Sequence, residues 1–118
     1  MDSEIKNSVK TDRKITLYGR NGQAQAQLVD LSPNWIGVLT ARGARIGTEL
    51  EVEFELPAFE HFMLLTMVGK VTHRHNAGDK IYLAIEFNNP SQSDQAAIED
   101  YINYKHRLST LGQRIIRD

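Results

Sequence analysis

The side chains best suited to recognise a ligand stand together in "LVDLSPNWIGVLT", Leu28 to Thr40, where Asp30 and Ser32 close an apolar run and Pro33, Asn34 and Trp35 interrupt it. An aspartate and a serine where a strand runs into a tight turn can hydrogen-bond a polar ligand. The same residue types stabilise turns by bonding their own backbone, so the local pattern leaves both roles open. Trp35 is the only tryptophan of the chain. Its ring can stack on a flat ligand or fill the end of a core. Upstream lie the cations Lys6, Lys10, Arg13 and Lys14. They could neutralise an anion held at the Asp30 corner or form an ordinary solvated tail, and the lysines bring charge without the planar fork of arginine.

Other constellations promise less. His73 and His75 flank Arg74 in a strand-like run and can share a face, but no third ligand follows nearby in sequence, so an exposed strand edge is expected rather than a metal. His61 and His106 are isolated. Glu49, Glu51, Glu53 and Glu55 alternate with Leu50, Val52, Phe54 and Leu56. Period-two spacing spreads such a row over roughly 20 Å, which suits a solvated face better than acid–base or metal chemistry. The chain has no cysteine, which excludes disulfides, thiolate metal sites and cysteine nucleophiles. It also lacks a glycine-rich phosphate loop, a nucleophile elbow and an HExxH helix. No enzymatic activity, metal or cofactor is expected.

These residues need positioning, and the chain is long enough to do it. Its 118 residues, 41% hydrophobic and 25% charged, match one compact domain with one core. The 14 basic and 15 acidic side chains nearly cancel, so charge gives no reason to expect nonspecific binding to nucleic acid or a membrane surface. The longest nearly uncharged run, "HFMLLTMVG", is far too short to span a bilayer, and the first residues are polar from Asp2 onward. A cytoplasmic location without membrane insertion is therefore expected.

The alternation in "IGTELEVEFEL" predicts a strand with one wet face. Further strands are expected in "KITLYG", "AQAQLVD", "WIGVLT", "FMLLTMVGKVTHRH" and "KIYLAIEF", separated by "RNGQ", "ARGARIG", "LPAFEH" and "NAGDK". Arg20, Asn21 and Gly22 read as a hairpin turn with left-handed angles at Asn-Gly. Many short strands with no helix between them predict an antiparallel barrel or sandwich. After Pro90, either Ser91 or Ser93 can cap an amphipathic helix from about Asp94 to near Leu111, with Ile98, Tyr101, Ile102, Lys105, Leu108 and Ile115 at helical spacing and Gly112 ending or weakening it. Residues 1–14 are expected to be a flexible basic segment and 15–118 a single domain. The helix stripe is expected to pack on its own barrel, with a homodimer through part of it as the alternative.

The order of these elements resembles the PilZ domain family, in which a D/N-x-S-x-x-G turn leads through an apolar strand and an acidic amphipathic strand ending in Pro to a "G-(R/K)-V" strand and one like "LGIEF". Here the counterparts are "DLSPNWIGV", "IGTELEVEFELP", "GKVTHRHNAGDKIYLAIEF" and the helix opening "PSQSDQAAIEDYI", so the likeness runs from about Ile15 to Ile102. The resemblance implies a mainly β fold: a six-stranded antiparallel barrel closed by a C-terminal amphipathic helix. It also implies a bacterial signalling protein that binds cyclic di-GMP, through arginines of an N-terminal R-x-x-x-R segment and the polar turn, and passes occupancy to a protein partner. Carried over residue by residue, Asp30 would accept from a guanine N1–H and N2–H, and Ser32 would donate to a base or phosphate oxygen. Lys10, Arg13 and Lys14 would supply the cations, and Trp35 could stack on a guanine. Two departures stand out. Trp35 occupies the motif's glycine position, unless Gly37 takes that role, and no R-x-x-x-R is present, Lys10 and Lys14 alone having the spacing. A PilZ-like adaptor in motility or surface-appendage control that has lost the ligand is the alternative expectation.

Overall fold

The computed structural model describes residues 7–117, with side chains described to residue 109. Lys6 and the side chain of Ile115 lie outside the described residues. Six strands follow one another: β1 (Val9–Gly19), β2 (Gly22–Leu31), β3 (Trp35–Thr40), β4 (Glu49–Ala58), β5 (His61–Ala77) and β6 (Lys80–Phe87), and one helix, α1 (Gln92–Arg117), ends the chain. All neighbouring strands are antiparallel and close into a barrel in the order β1-β2-β3-β6-β5-β4. The architecture is the one expected. β1 begins at Val9, so Lys10, Arg13 and Lys14 lie in a strand rather than in a flexible leader. A strand forms there because Lys10 and Arg13 find ladder partners in Asp30 and Leu28 of β2.

Alternation builds the core. Leu50, Val52, Phe54 and Leu56 of β4 point inward and are buried, whereas Glu49, Glu51 and Glu55 face water. Ile15, Leu28, Val38, Leu65, Leu83 and Ile85 complete the filling from the other strands. Each such side chain taken fully out of water stabilises the fold by about 1.5–3 kcal/mol. Helix α1 lies across the barrel mouth against β4 and β1, burying Ala97, Ile98, Tyr101 and Ile102. The Tyr101 hydroxyl and Thr11 Oγ1, 2.7 Å apart, join helix to β1.

Two turns differ from the simple reading. At the β1–β2 hairpin Gly19 pairs with Gly22, and only Gly22 takes a positive φ, 124°, so the turn does not need left-handed geometry at Asn21. At the β4–β5 hairpin the two linking residues, Phe59 and Glu60, both have positive φ, 53° and 65°. Neither is glycine or asparagine, and the conformation costs each about 1 kcal/mol or more. Asp100 of α1 offsets part of that, its Oδ2 accepting from the Phe59 N–H at 3.0 Å.

The helix start is unambiguous in space. Ser91 Oγ accepts from the Asp94 N–H at 3.0 Å, and the Ser91 carbonyl accepts from Gln95 N–H at 3.0 Å, so Ser91 rather than Ser93 is the cap. The helix runs past Leu111 and through Gly112, because a single glycine costs a helix only about 1 kcal/mol. Replacing Ser91 by Ala should lower unfolding stability by about 1 kcal/mol. Ser93→Ala should change it by less than about 0.5 kcal/mol. Urea denaturation of the two variants separates these outcomes, and equal effects would place the cap elsewhere.

Candidate functional site

Leu28 and Asp30 are two residues apart in β2, and an undisturbed strand would point both inward. A register shift between them in the β2–β3 ladder leaves Val29 as an extra residue and turns Asp30 to the outer face, where it opposes Gly37. A second shift, in the β5–β6 ladder between Val71 and His73, does the same for His73 beyond the buried Val71. A third lies in the β1–β2 ladder between Lys10 and Arg13. The three irregularities surround one patch of barrel wall.

The patch can be read off the registers. One cross-strand row holds Trp35, Glu86 and Lys70, the next Gly37, Ala84 and His73, and the third Leu39, Tyr82 and His75. Gly37 and Ala84 make the middle row low on β3 and β6, between larger neighbours about 7 Å to either side. The result is an open groove of about 730 Å³ lined by Lys10, Asp30, Trp35, His73, His75 and Tyr82 among others. That volume falls within the range of about 300–1,000 Å³ usual for small-molecule sites.

Asp30 is the centre of its electrostatics. It is 7% exposed, and both carboxylate oxygens are engaged: Lys10 Nζ donates to Oδ1 at 2.6 Å and the Tyr82 hydroxyl donates to Oδ2 at 2.6 Å. Both are charge-assisted bonds of the strong kind. Lys10 reaches in from solvent, its side chain 88% exposed against 10% for Asp30. Tyr82 leans out of its own row and over Gly37 to reach the carboxylate. Gly37 permits this crossing, since a Cβ there would overlap the Tyr82 hydroxyl and lie 2.7 Å from Asp30 Oδ2. The ring of His75 stacks on Tyr82, with centroids 4.8 Å apart and planes 18° from parallel. Burial pushes the Tyr82 phenol well above its ordinary pKa, and the hydrogen bond to Asp30 and that residue's charge push it the same way.

The corner that follows Asp30 is closed by its own backbone. The Ser32 N–H donates to the Trp35 carbonyl at 3.0 Å, and Ser32 Oγ accepts from the Asn34 N–H at 3.2 Å. Asn34 is tied to the rest of the fold, its carbonyl accepting from Phe87 N–H at 2.9 Å and its Oδ1 from Gln95 Nε2 at 3.1 Å. No residue from Asp30 to Gly37 has a positive φ, so Trp35 occupies the motif's glycine position without left-handed strain. The close approach that glycine would provide comes from Gly37 instead. Trp35 starts β3 on the outer face, half-buried, as one wall of the groove rather than as core.

Of the residues singled out in the sequence, Lys10, Asp30 and Trp35 come together. Ser32 is buried within the turn, and neither it nor Arg13 nor Lys14 lines the groove. Arg13 Nε donates instead to the Glu55 carbonyl of β4 at 2.8 Å, prolonging the β1–β4 seam. Tyr82 is the groove residue that sequence reading did not single out; His73 and His75 were read only as an exposed strand edge, and Gly37 only as a stand-in for the motif's glycine. One signal was available: Tyr82, Ala84 and Glu86 alternate with the core residues Leu83, Ile85 and Phe87 and must share the outer face. Among the described residues no group of three or more histidines and carboxylates is gathered as for a metal ion.

The PilZ domain model matches residues 5–104. The chain belongs to the PilZ domain family. This is a family of regulatory binding domains rather than of enzymes. Among solved structures, this PilZ domain is similar to Bacillus subtilis MotI/DgrA, an inhibitor of motility (TM-score 0.76, 17% identity, covering 84% of this chain and 49% of that one). It is also similar to Escherichia coli YcgR in complex with c-di-GMP (TM-score 0.79, 12% identity, 92% of this chain and 48% of that one). The PilZ domain of YcgR with c-di-GMP matches at a TM-score of 0.69 and 13% identity, over 91% of this chain and 94% of that one. The chain spans about half the length of the first two, and at these identities the likeness is one of fold. No curated protein sequence gives a significant match. No helix among the described residues is long and apolar enough to cross a membrane.

The raised phenol of Tyr82 has a pH signature. Its proton is held more tightly in the folded than in the unfolded chain, so its contribution to stability is complete below the ordinary phenol value of 10.0 and is lost as pH rises above it. Chemical denaturation at stepped alkaline pH should therefore show the parent protein losing more stability above that value than Tyr82→Phe does. Parallel curves for the two proteins would mean that the Tyr82–Asp30 bond is not maintained in solution.

Proposed function

We propose that this PilZ domain is a cyclic di-GMP receptor whose occupancy is relayed to a protein partner. The observation that carries the reading is the joint hold of Lys10 and Tyr82 on Asp30 inside a recessed, aromatic-walled groove. A carboxylate facing such a groove can exchange its two present donors for the N1–H and N2–H of a guanine edge. Lys10, released from Oδ1, then carries its charge to a phosphate of the same ligand. Trp35 on one side and the Tyr82–His75 stack on the other offer flat surfaces to a base, a contact worth about 1–3 kcal/mol per base in single-stranded nucleic-acid sites. The solved c-di-GMP complexes of other PilZ proteins give this ligand precedence over other guanine nucleotides.

Relay follows from the same exchange. Lys10 is the second residue of β1, and its ion pair helps fasten that end of the strand to β2. Ligand that takes Lys10 away from Asp30 loosens the first residues of β1 from β2, and a partner that prefers the loosened edge is thereby recruited.

A second reading has its own support. Asp30 has both oxygens occupied by protein donors, and the arginine pair expected of a receptor is missing. In that case the domain is an adaptor without ligand, acting in motility or surface-appendage control, with the exposed Tyr104 and Leu108 of α1 at its docking surface.

Titration calorimetry with cyclic di-GMP separates the two. The receptor predicts binding heat at micromolar ligand. Lys10→Ala should weaken it, by less than the roughly tenfold to hundredfold that a whole charged hydrogen bond of about 1.5–3 kcal/mol would give, because Lys10 leaves Asp30 to reach the ligand. Arg13→Ala, whose guanidinium is committed to Glu55, should leave it nearly unchanged. A flat trace up to hundreds of micromolar with folded protein would leave the adaptor.

A further inference from the structure

β5 is longer than the barrel needs. From Gly69 onward it pairs with β6, but between His61 and Met67 it has β4 on one side and no strand on the other. The Asn88 N–H donates to the Val68 carbonyl at 2.9 Å, which shows that Val68 directs its backbone groups away from β4. Antiparallel ladders alternate strictly, so Thr66, Leu64 and Phe62 direct theirs the same way. Among the described residues these groups of Phe62, Leu64 and Thr66 make no backbone–backbone hydrogen bond on that side. Helix α1 packs mainly on β4 and β1, and its Asp100, Tyr104 and Arg107 come near this strand at the His61–Phe62 end.

Such an edge is ordinarily blunted by a charge, a proline or a bulge. Here "FMLLTMV", Phe62–Val68, contains none of them, and of its outward side chains Phe62, Leu64, Thr66 and Val68 all but Thr66 are apolar, with Phe62 67%, Leu64 64% and Val68 45% exposed. The stretch is also self-complementary. A twofold axis through Leu64 sets Phe62 against Thr66 of the second copy, Leu64 against its own twin, and Thr66 against Phe62. All three residues direct their N–H and C=O groups across the axis, so every pair can exchange both hydrogen bonds, as a closed isologous interface requires.

Charge does not oppose the pairing. The nearest acidic row, on β4, is one strand further out, and Glu55 is the neighbour of Leu64 there. Its twin would lie three strand spacings away, about 14 Å, beyond the screening length of about 8 Å at physiological salt. We infer that the open edge of β5, Phe62–Thr66, pairs antiparallel with the same edge of a second copy of this chain, joining two β4–β5 hairpins into one four-stranded sheet. This interface is separate from the Asp30 groove, and at Phe62 it borders a hollow that Tyr104 and Arg107 of α1 also line.

Sedimentation velocity with hydrogen exchange on the full chain tests it. The expected result is a dimer at tens of micromolar in which the amides of Phe62, Leu64 and Thr66 become more protected as concentration rises. Leu64→Lys, which sets two like charges on the axis, should shift dissociation at least tenfold toward monomer, while Leu108→Ala should not. In a chain that otherwise has no cysteine, Leu64→Cys should be joined to its twin by a short bis-maleimide, and Leu108→Cys should not. The last comparison holds the test even if Leu64→Lys folds poorly. A monomer at hundreds of micromolar, unprotected edge amides, or a dimer lost with Leu108→Ala but kept with Leu64→Lys would overturn the inference.

Discussion

Asp30 is a carboxylate that one extra residue in β2 turns from the core side of the barrel to its outer wall, and Lys10 and Tyr82 hold it there from two other strands. That three-way contact ties β1, β2 and β6 together across β3, which can be bridged only because Gly37 has no side chain in the path. Removing either donor leaves a nearly buried charge short of a partner. The arrangement thus explains why the strand ladders depart from ideal register at this patch and why the wall above β3 is recessed.

The same contact gives the groove its chemical character. A carboxylate that accepts two hydrogen bonds side by side, flanked by a cation on a flexible stem and by aromatic faces, matches a guanine edge next to a phosphate. In the proposed receptor the protein's own donors stand in for those of the ligand until it arrives. Binding is then an exchange of partners rather than the filling of a vacant site, and its net gain is correspondingly smaller than a count of new contacts suggests. Lysine in place of arginine fits that picture, since a point charge is easier to move between two anions than a bidentate fork.

Much of the fold was legible because it rests on local pattern. Alternating Glu and apolar residues marked β4, Pro90 and a following serine marked the end of β6 and the start of α1, and the order of strands suggested the family. The site was legible only in part. Asp30 and Trp35 stood out by type, and Lys10 by charge, but Tyr82, His73 and His75 lie more than forty residues further along the chain and meet Asp30 only through the ladders of the closed barrel. The bulges that aim Asp30 and His73 outward have no single-residue marker. Arg13 has the right chemistry by type, but its place in β1 beside the β4 seam sets its guanidinium on the Glu55 carbonyl, which no local pattern in the sequence marks. Ser32 belongs to the family turn and does a turn's work, bonding Asn34 rather than facing the groove.

The central claim, that cyclic di-GMP binds by exchanging the donors on Asp30, is tested most directly by a two-dimensional NMR titration of the labelled protein with that ligand. The account predicts saturable shifts at the amides of Lys10, Asp30, Gly37 and His73 and at the indole N–H of Trp35, with the glycine-rich far end of the barrel around Arg20 and Gly43 unmoved. An unchanged spectrum, or shifts gathered at that far end, would contradict it.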